Sequence, residues 1–364
     1  MSEAVDARLV RLFRGCETRQ TCLAPTEDRD RRALRRRAAK PDSGIASPQE
    51  GLYVRTAHWE RLSPEQRELH VMRGIQELRP HVVFCAQSAA VAWGLPVSWS
   101  RLGTPQEAHW RESGRHSRAD MGFHQIGNDM PVRTSGVWVT SFWRTVFDCL
   151  VRLPFPEALA VADVALARYA RRRADMMWLL SRRFAHHPGI RRARAICAWA
   201  EPLAESGGES IARAQMICLG YALPHLQLTL PDPLDQGHTF RIDFSWRAVD
   251  GTLVFGELDG AQKYLDQRLT GRREAFEVMA AERRRESRVS AYAARLVRFT
   301  MRDVHDPERL RRLLDAFGVP RGEKPELVDG VPVPPADAWA RPTIFGLGTM
   351  ILAGERVRFS SEAA

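Results

Sequence analysis

The most constraining stretch is a pair of apolar runs, FRIDFSW (240–246) and TLVFGELDG (252–260), separated by a short polar segment containing Asp250-Gly251. Alternating and continuous apolar residues around an Asp-Gly pair predict a β-hairpin. Three carboxylates sit inside or at the end of these strands: Asp243, Glu257 and Asp259. An ionised carboxylate within an apolar strand costs free energy unless it is paired or binds a cation. The length of the connection decides what the acids can do. A two-residue turn, Asp250-Gly251, sets Asp243 against Leu258, puts Glu257 on the other face and excludes a shared site. A three-residue loop, Val249-Asp250-Gly251, with Gly251 in the left-handed region of a bulge, sets Asp243 opposite Glu257. The odd register is expected. The competing expectation is that the acids form the solvated polar face of a half-buried hairpin.

Around this hairpin the pattern predicts a helix from Glu209-Ser210 to Gly220 and a strand over 223–230. A loop over PDPLDQGH, a long polar helix over roughly 271–291 and a strand over 295–300 follow. The order is helix with Glu, strand, strand with Asp, strand with ExD, helix, strand. Two adjacent strands carrying Asp and Glu suit a hard cation such as Mg²⁺ or Mn²⁺. Such an ion can activate water and stabilise charge on a phosphodiester.

The charge balance agrees with a polyanionic partner. The chain of 364 residues has a formal net charge of +10, and only three of its 54 basic residues are lysines: Lys40, Lys263 and Lys324. Arginine in place of lysine is also what a GC-rich genome gives, but codon bias does not set net charge. Nucleic acid is the first candidate partner. Lys263 follows the ExD strand closely, where an ammonium could stabilise charge.

Upstream, residues 28–40 (DRDRRALRRRAAK) predict a basic helix between an amphipathic start and a short strand, GLYVR. Helix, basic helix and hairpin-like tip form the order of a winged helix, with arginines such as Arg31, Arg32, Arg35 and Arg36 on phosphates. The alternative is a solvated helix whose Asp28 and Asp30 offset its dipole. Residues 58–175 alternate in type: a helix from Pro64 to Leu78, a buried strand at HVVFCA (81–86), strands near 120–126 and 136–140, and helices after Ser141 and Pro154. Arg144 and Asp148, at i and i+4, read as a helix-surface pair. His186-His187 supplies too few ligands for a metal site beside its Pro-Gly.

No run of 18 apolar residues and no basic-then-apolar leader occurs, so neither a membrane partner nor export is expected, and a cytoplasmic location is. The six cysteines include no CxxC pair, which argues against a zinc ribbon. Walker, GxGxxG, GxSxG and HExxH motifs are absent.

Residues 205–303 resemble the PD-(D/E)XK nuclease superfamily, in the branch of very-short-patch-repair endonucleases. The resemblance rests on GGES (207–210), RIDFSW (241–246), GELDGAQKY (256–264) and ERRRESRVSAYAARLVRFTMRDV (282–304). It implies that Asp243, Glu257 and Glu209 hold the metal, with Asp259 an extra ligand. Asp259 occupies the family's lysine position, so Lys263 is the substitute, and Gln262 is placed to orient water. Arg283 and Arg284 are assigned to phosphate contact. The N-terminal half is similar to AbiEi-type antitoxins through ALRRRAAK, EGLYVR, QSAAVAWGLPV, VTSFWRTVFDCL and PFPEALAVADVAL. In that family a winged helix binds operator DNA and a second domain counteracts a toxin, so a cognate toxin is an implied partner. The shortened wing, SGIASPQEGLYVR, departs from the family pattern. The combination is of an actinobacterial type.

The expected architecture is therefore α+β and multidomain. A winged helix spans 1–57, an α/β unit 58–175, a helical linker 176–200, a restriction-endonuclease-like α/β/α domain with a central mixed sheet 201–317, and a Pro/Gly-containing tail 318–364. The expected function is metal-dependent DNA cleavage. The alternative is a DNA-binding regulator with an inactive nuclease fold.

Overall fold

A computed structural model describes residues 2–110, 117–170, 172–259, 283–335, 350–352 and 355–357. It is mixed α+β, with helices and several small sheets, and divides into two units, Met1–Arg152 and Leu153–Ala364. The helix after Pro154, grouped by sequence with 58–175, therefore falls in the second unit. No helix among the described residues is long and apolar enough to cross a membrane.

The first unit opens with α1 (Ser2–Thr18) and α2 (Asp28–Ala38), followed by the antiparallel pair β1 (Ile45–Gln49) and β2 (Leu52–Arg55). Leu9, Phe13, Cys16, Leu23, Leu34 and Tyr53 bury together and hold helices and hairpin to one core. The acidic start of α2 does more than offset a dipole: Asp30 is buried and ion-paired with Arg8 at 3.0 Å. After α3 (Thr56–Trp59), α4 (Pro64–Leu78) begins where its residues dictate. Ser63 and Gln66 form a reciprocal capping box and Pro64 takes the first turn.

α5 (Ala86–Ala92), β3 (Gln106–His109), β4 (Gly122–Gln125), β5 (Val132–Thr134), β6 (Val137–Val139) and α6 (Phe142–Arg152) complete the unit. The strand expected over 81–86 is reduced to one bridging residue. Phe84 bridges Glu107 on one side and Val139 on the other. The chain turns into α5 at Ala86, whose φ is +46°, and this ends the ladder. Arg144 and Asp148 are not a surface pair. Both are buried, 3.0 Å apart, and the guanidinium also donates to the Ile126 carbonyl at 2.6 Å. Position i, i+4 is the same on a buried face as on an exposed one, and here α6 turns that face inward.

In the second unit, α7 (Phe155–Tyr169), α8 (Arg173–Arg183), α9 (Ile190–Ala198) and α10 (Gly207–Cys218) precede the main sheet. α7 and α10 are locked by a buried ion pair, with Arg213 Nη2 2.9 Å from both oxygens of Asp163. The sheet has strand order β10-β9-β8-β7: β7 (His225–Asp232), β8 (Asp235–Arg247), β9 (Leu253–Asp259) and β10 (Arg295–Thr300). β10 is parallel to β9, and the other pairs are antiparallel. One apolar cluster joins Phe244, Trp246, Val254 and Val297 to Ala212 and Met216 of α10 and to Leu310 and Leu314. A second joins Leu230, Ile242, Leu253 and Phe255 to Val289 and Tyr292.

Two expectations are corrected here. PDPLDQGH is mostly strand, because β7 runs to Asp232 and β8 restarts at Asp235. The beginning of the expected loose tail is docked. Val331 is buried, Trp199 Nε1 donates to the Pro332 carbonyl at 2.7 Å, and Ala222 donates to the Pro320 carbonyl at 2.9 Å.

Candidate functional site

The β8–β9 connection is the three-residue loop. Ala248 N–H donates to the Thr252 carbonyl at 2.8 Å, and Gly251 takes φ +82°. The ladder then runs Arg247↔Leu253, Trp246↔Val254, Ser245↔Phe255 and Phe244↔Gly256. One step further, Asp243 stands across from Glu257. There the side chain replaces the ladder, because Asp243 Oδ2 accepts the Leu258 N–H at 3.0 Å.

β7 approaches the same level from the other side. Its register passes from Leu226↔Phe244 to Leu228↔Ile242, which places Gln227 beside Asp243. Gln227 has φ +54°, a left-handed conformation that costs a non-glycine residue energy. Its amide nitrogen donates to Glu209 Oε2 at 2.8 Å, and its buried Oε1 has no hydrogen-bond partner. Glu209 lies in the first turn of α10, which Ser206 caps, and also accepts from the Ser206 hydroxyl (2.8 Å) and the Glu205 N–H (3.0 Å). Burial raises the Glu209 carboxyl above its ordinary pKa, and the charge of Asp243 adds to that. Sequence reasoning missed Gln227; no local pattern marks a glutamine with positive φ.

Glu257 is buried and accepts from both terminal nitrogens of Arg285, at 3.0 and 2.6 Å. Arg298, which faces Glu257 in the parallel ladder, pairs with Asp259. Asp259 is thus engaged away from Asp243. Arg285 was the arginine not singled out in the sequence, although Arg283 and Arg284 precede it. Those two are exposed in the helical segment 283–289. Gln262 and Lys263 lie outside the described residues.

Asp243 and Glu209 lie close enough for the charge of Asp243 to act on Glu209, and Glu257 follows one step beyond the last ladder pair, Phe244 and Gly256. Their oxygen donors suit a hard divalent cation, and the unpartnered Gln227 oxygen and the raised pKa of Glu209 are features a cation would relieve. Arg285 already supplies positive charge to Glu257. Among the described residues, no group of three or more His, Cys, Asp or Glu side chains is gathered closely enough to hold a metal as it stands.

In the first unit, Arg31, Arg32, Arg35 and Arg36 of α2 are exposed. Arg31 pairs with Asp28 on its own helix, which leaves Arg32, Arg35 and Arg36 as the open cationic row.

No family model matches the chain, and no solved structure matches it. Two uncharacterized proteins of Mycobacterium tuberculosis, MT2308 from strain CDC 1551 / Oshkosh and Rv2248 from strain H37Rv, are each 30% identical to it over 168 residues. The match covers 46% of this chain and 59% of each relative.

Proposed function

We propose that this protein is a metal-dependent DNA endonuclease whose N-terminal region binds DNA. The observation that supports this reading is the β8–β9 register, which carried one step past Phe244↔Gly256 brings Asp243 opposite Glu257, with Glu209 bound to the neighbouring Gln227. Asp243, Glu257 and Glu209 would hold Mg²⁺ or Mn²⁺, with Asp259 a further acidic group nearby. The ion supplies an activated water and charge stabilisation at the phosphodiester. Lys263 and Gln262 are the proposed charge-stabilising and water-orienting groups. Glu209, held above its ordinary pKa, must release its proton for the ion to enter. Arg283, Arg284 and the α2 row, Arg31, Arg32, Arg35 and Arg36, position DNA through phosphates without reading sequence.

On this reading the unit around β7–β10 is a restriction-endonuclease-like fold, the α1–β2 region is a winged helix, and the first unit is AbiEi-like with a cognate toxin as partner. The test is cleavage of plasmid and single-stranded DNA with Mg²⁺ or Mn²⁺, beside Asp243→Ala and Glu257→Ala. Cleavage that survives both substitutions refutes the site.

A second reading is favoured by one observation: the bidentate Arg285–Glu257 contact, beside Arg298–Asp259, neutralises two of the acids. This suits a DNA-binding regulator with an inactive nuclease fold. It predicts salt-sensitive DNA binding without cleavage. Replacing Arg32, Arg35 or Arg36 by alanine should then reduce the salt slope by about 0.9 for each phosphate no longer neutralised.

A further inference from the structure

Away from the acidic site, the first unit holds two histidines nose to nose. His58 of α3 and His70 of α4 approach through their Nε2 atoms at 3.5 Å. His70 is buried, 2% exposed, and its Nδ1 lies 2.7 Å from the Gln66 carbonyl. A carbonyl only accepts, so Nδ1 carries the hydrogen and Nε2 presents a bare lone pair to His58.

Ring packing, a shared proton and a shared cation all bring imidazole nitrogens face to face, and the rings here are tilted by 52° with centroids 5.6 Å apart. A hydrogen bond from a ring N–H draws its heavy atoms to about 2.7–3.2 Å. Two nitrogens bound at about 2.0–2.1 Å to one tetrahedral zinc ion stand about 3.4 Å apart. At 3.5 Å the pair is long for a hydrogen bond and leaves the two nitrogens at a spacing that one zinc ion can bridge. The Nδ1–H to backbone carbonyl bond is also the support that ligating histidines ordinarily have. A cleft of 130 Å³ opens beside the pair, lined by Glu17, Gln20 and Gln66 among others, and leaves room for water ligands.

We propose that His58 and His70 form a two-histidine site for a borderline-soft divalent metal, zinc first, with water completing the coordination; unlike the adjacent His186-His187, their nitrogens already converge beside a cleft that admits the missing ligands. Glu17 borders the site and is bound to Arg55 at 2.6 Å, so its charge is already spent, and Arg73 also lines the cleft. The affinity is therefore set by the two imidazoles. Such a site clips α3 to α4. It owes nothing to the carboxylates of the second unit, whose oxygen donors select Mg²⁺ or Mn²⁺.

The test is calorimetric titration of Zn²⁺ into the chelator-stripped full chain with excess Mg²⁺ present. One zinc per chain is expected. His58→Gln and His70→Gln should each weaken binding by roughly tenfold or more, a loss at least as large as that from removing a supporting partner. Glu257→Gln should leave it unchanged. No zinc uptake, or uptake equal to wild type in both folded histidine variants, overturns the proposal. If His70→Gln does not fold, ¹⁵N-histidine spectra of the wild type decide. Zinc must shift His70 Nε2, and an unmoved resonance overturns the assignment. Loss of zinc binding in Glu257→Gln but not in the histidine variants also overturns it. A failed nuclease assay has no bearing on this result.

Discussion

Replacing Asp163 by alanine tests how the acidic site is held. Arg213 is 1% exposed, and its charge is met by both oxygens of Asp163 at 2.9 Å, with one further bond to the Trp199 carbonyl at 3.0 Å. Asp163→Ala leaves that guanidinium buried with only a neutral acceptor. Breaking one side of a buried pair costs about 3–5 kcal/mol, a large share of the roughly 5–15 kcal/mol that stabilises a typical protein. With an m-value of about 2–3 kcal/mol/M in urea, the midpoint should fall by about 1–2.5 M. The assay is urea unfolding followed by tryptophan fluorescence and circular dichroism. The double variant Asp163→Leu/Arg213→Met removes both charges, and it should recover most of the loss, since apolar replacement of a whole buried pair is often neutral. Because α10 carries Glu209, the single variant should also lose metal affinity, and the double variant should regain it. A midpoint shift in Asp163→Ala below about 0.4 M, equivalent to about 1 kcal/mol, would refute the reasoning.

Three further outcomes follow from the site. The raised Glu209 carboxyl holds its proton more tightly in the folded chain. In the metal-free protein its contribution to stability should therefore be fully present below the ordinary glutamate pKa and be lost as pH rises through the elevated value. Thermal melts of Glu209→Gln should lack that decline, and Mn²⁺ should abolish it in the wild type. Arg285→Ala should tighten Mn²⁺ binding, read by electron paramagnetic resonance, if the arginine only screens Glu257; weaker binding would mean that it positions the carboxylate. Gly251→Ala meets nothing within 4 Å, so its cost is the left-handed backbone alone, about 1–2 kcal/mol in a thermal or urea melt.

The hairpin register was legible because the loop length and Gly251 act through strand periodicity, which is a local rule. The α4 start and the β10 span were legible for the same reason: a capping box and an apolar run carry their own boundaries. Arg144–Asp148 was not, because the face is made interior by packing against distant residues, such as Ile126, whose carbonyl eighteen residues away accepts from Arg144. Arg285 was hidden in a row of identical arginines. Its contact with Glu257 joins residues 28 apart in sequence, which no local pattern marks. Gln227 was invisible because its partner Glu209 lies on another element, eighteen residues away.

The three-residue loop between β8 and β9 has a consequence for how such a chain can change over time. Side chains alternate along a strand, so the site depends on whether the loop is odd or even in length, not on its composition. Single insertions or deletions within 249–251 separate Asp243 from Glu257 as surely as mutating either. Paired ones leave the two in step. Related chains that keep both acids should differ in this loop by even numbers of residues, unless a bulge elsewhere in the hairpin restores the count.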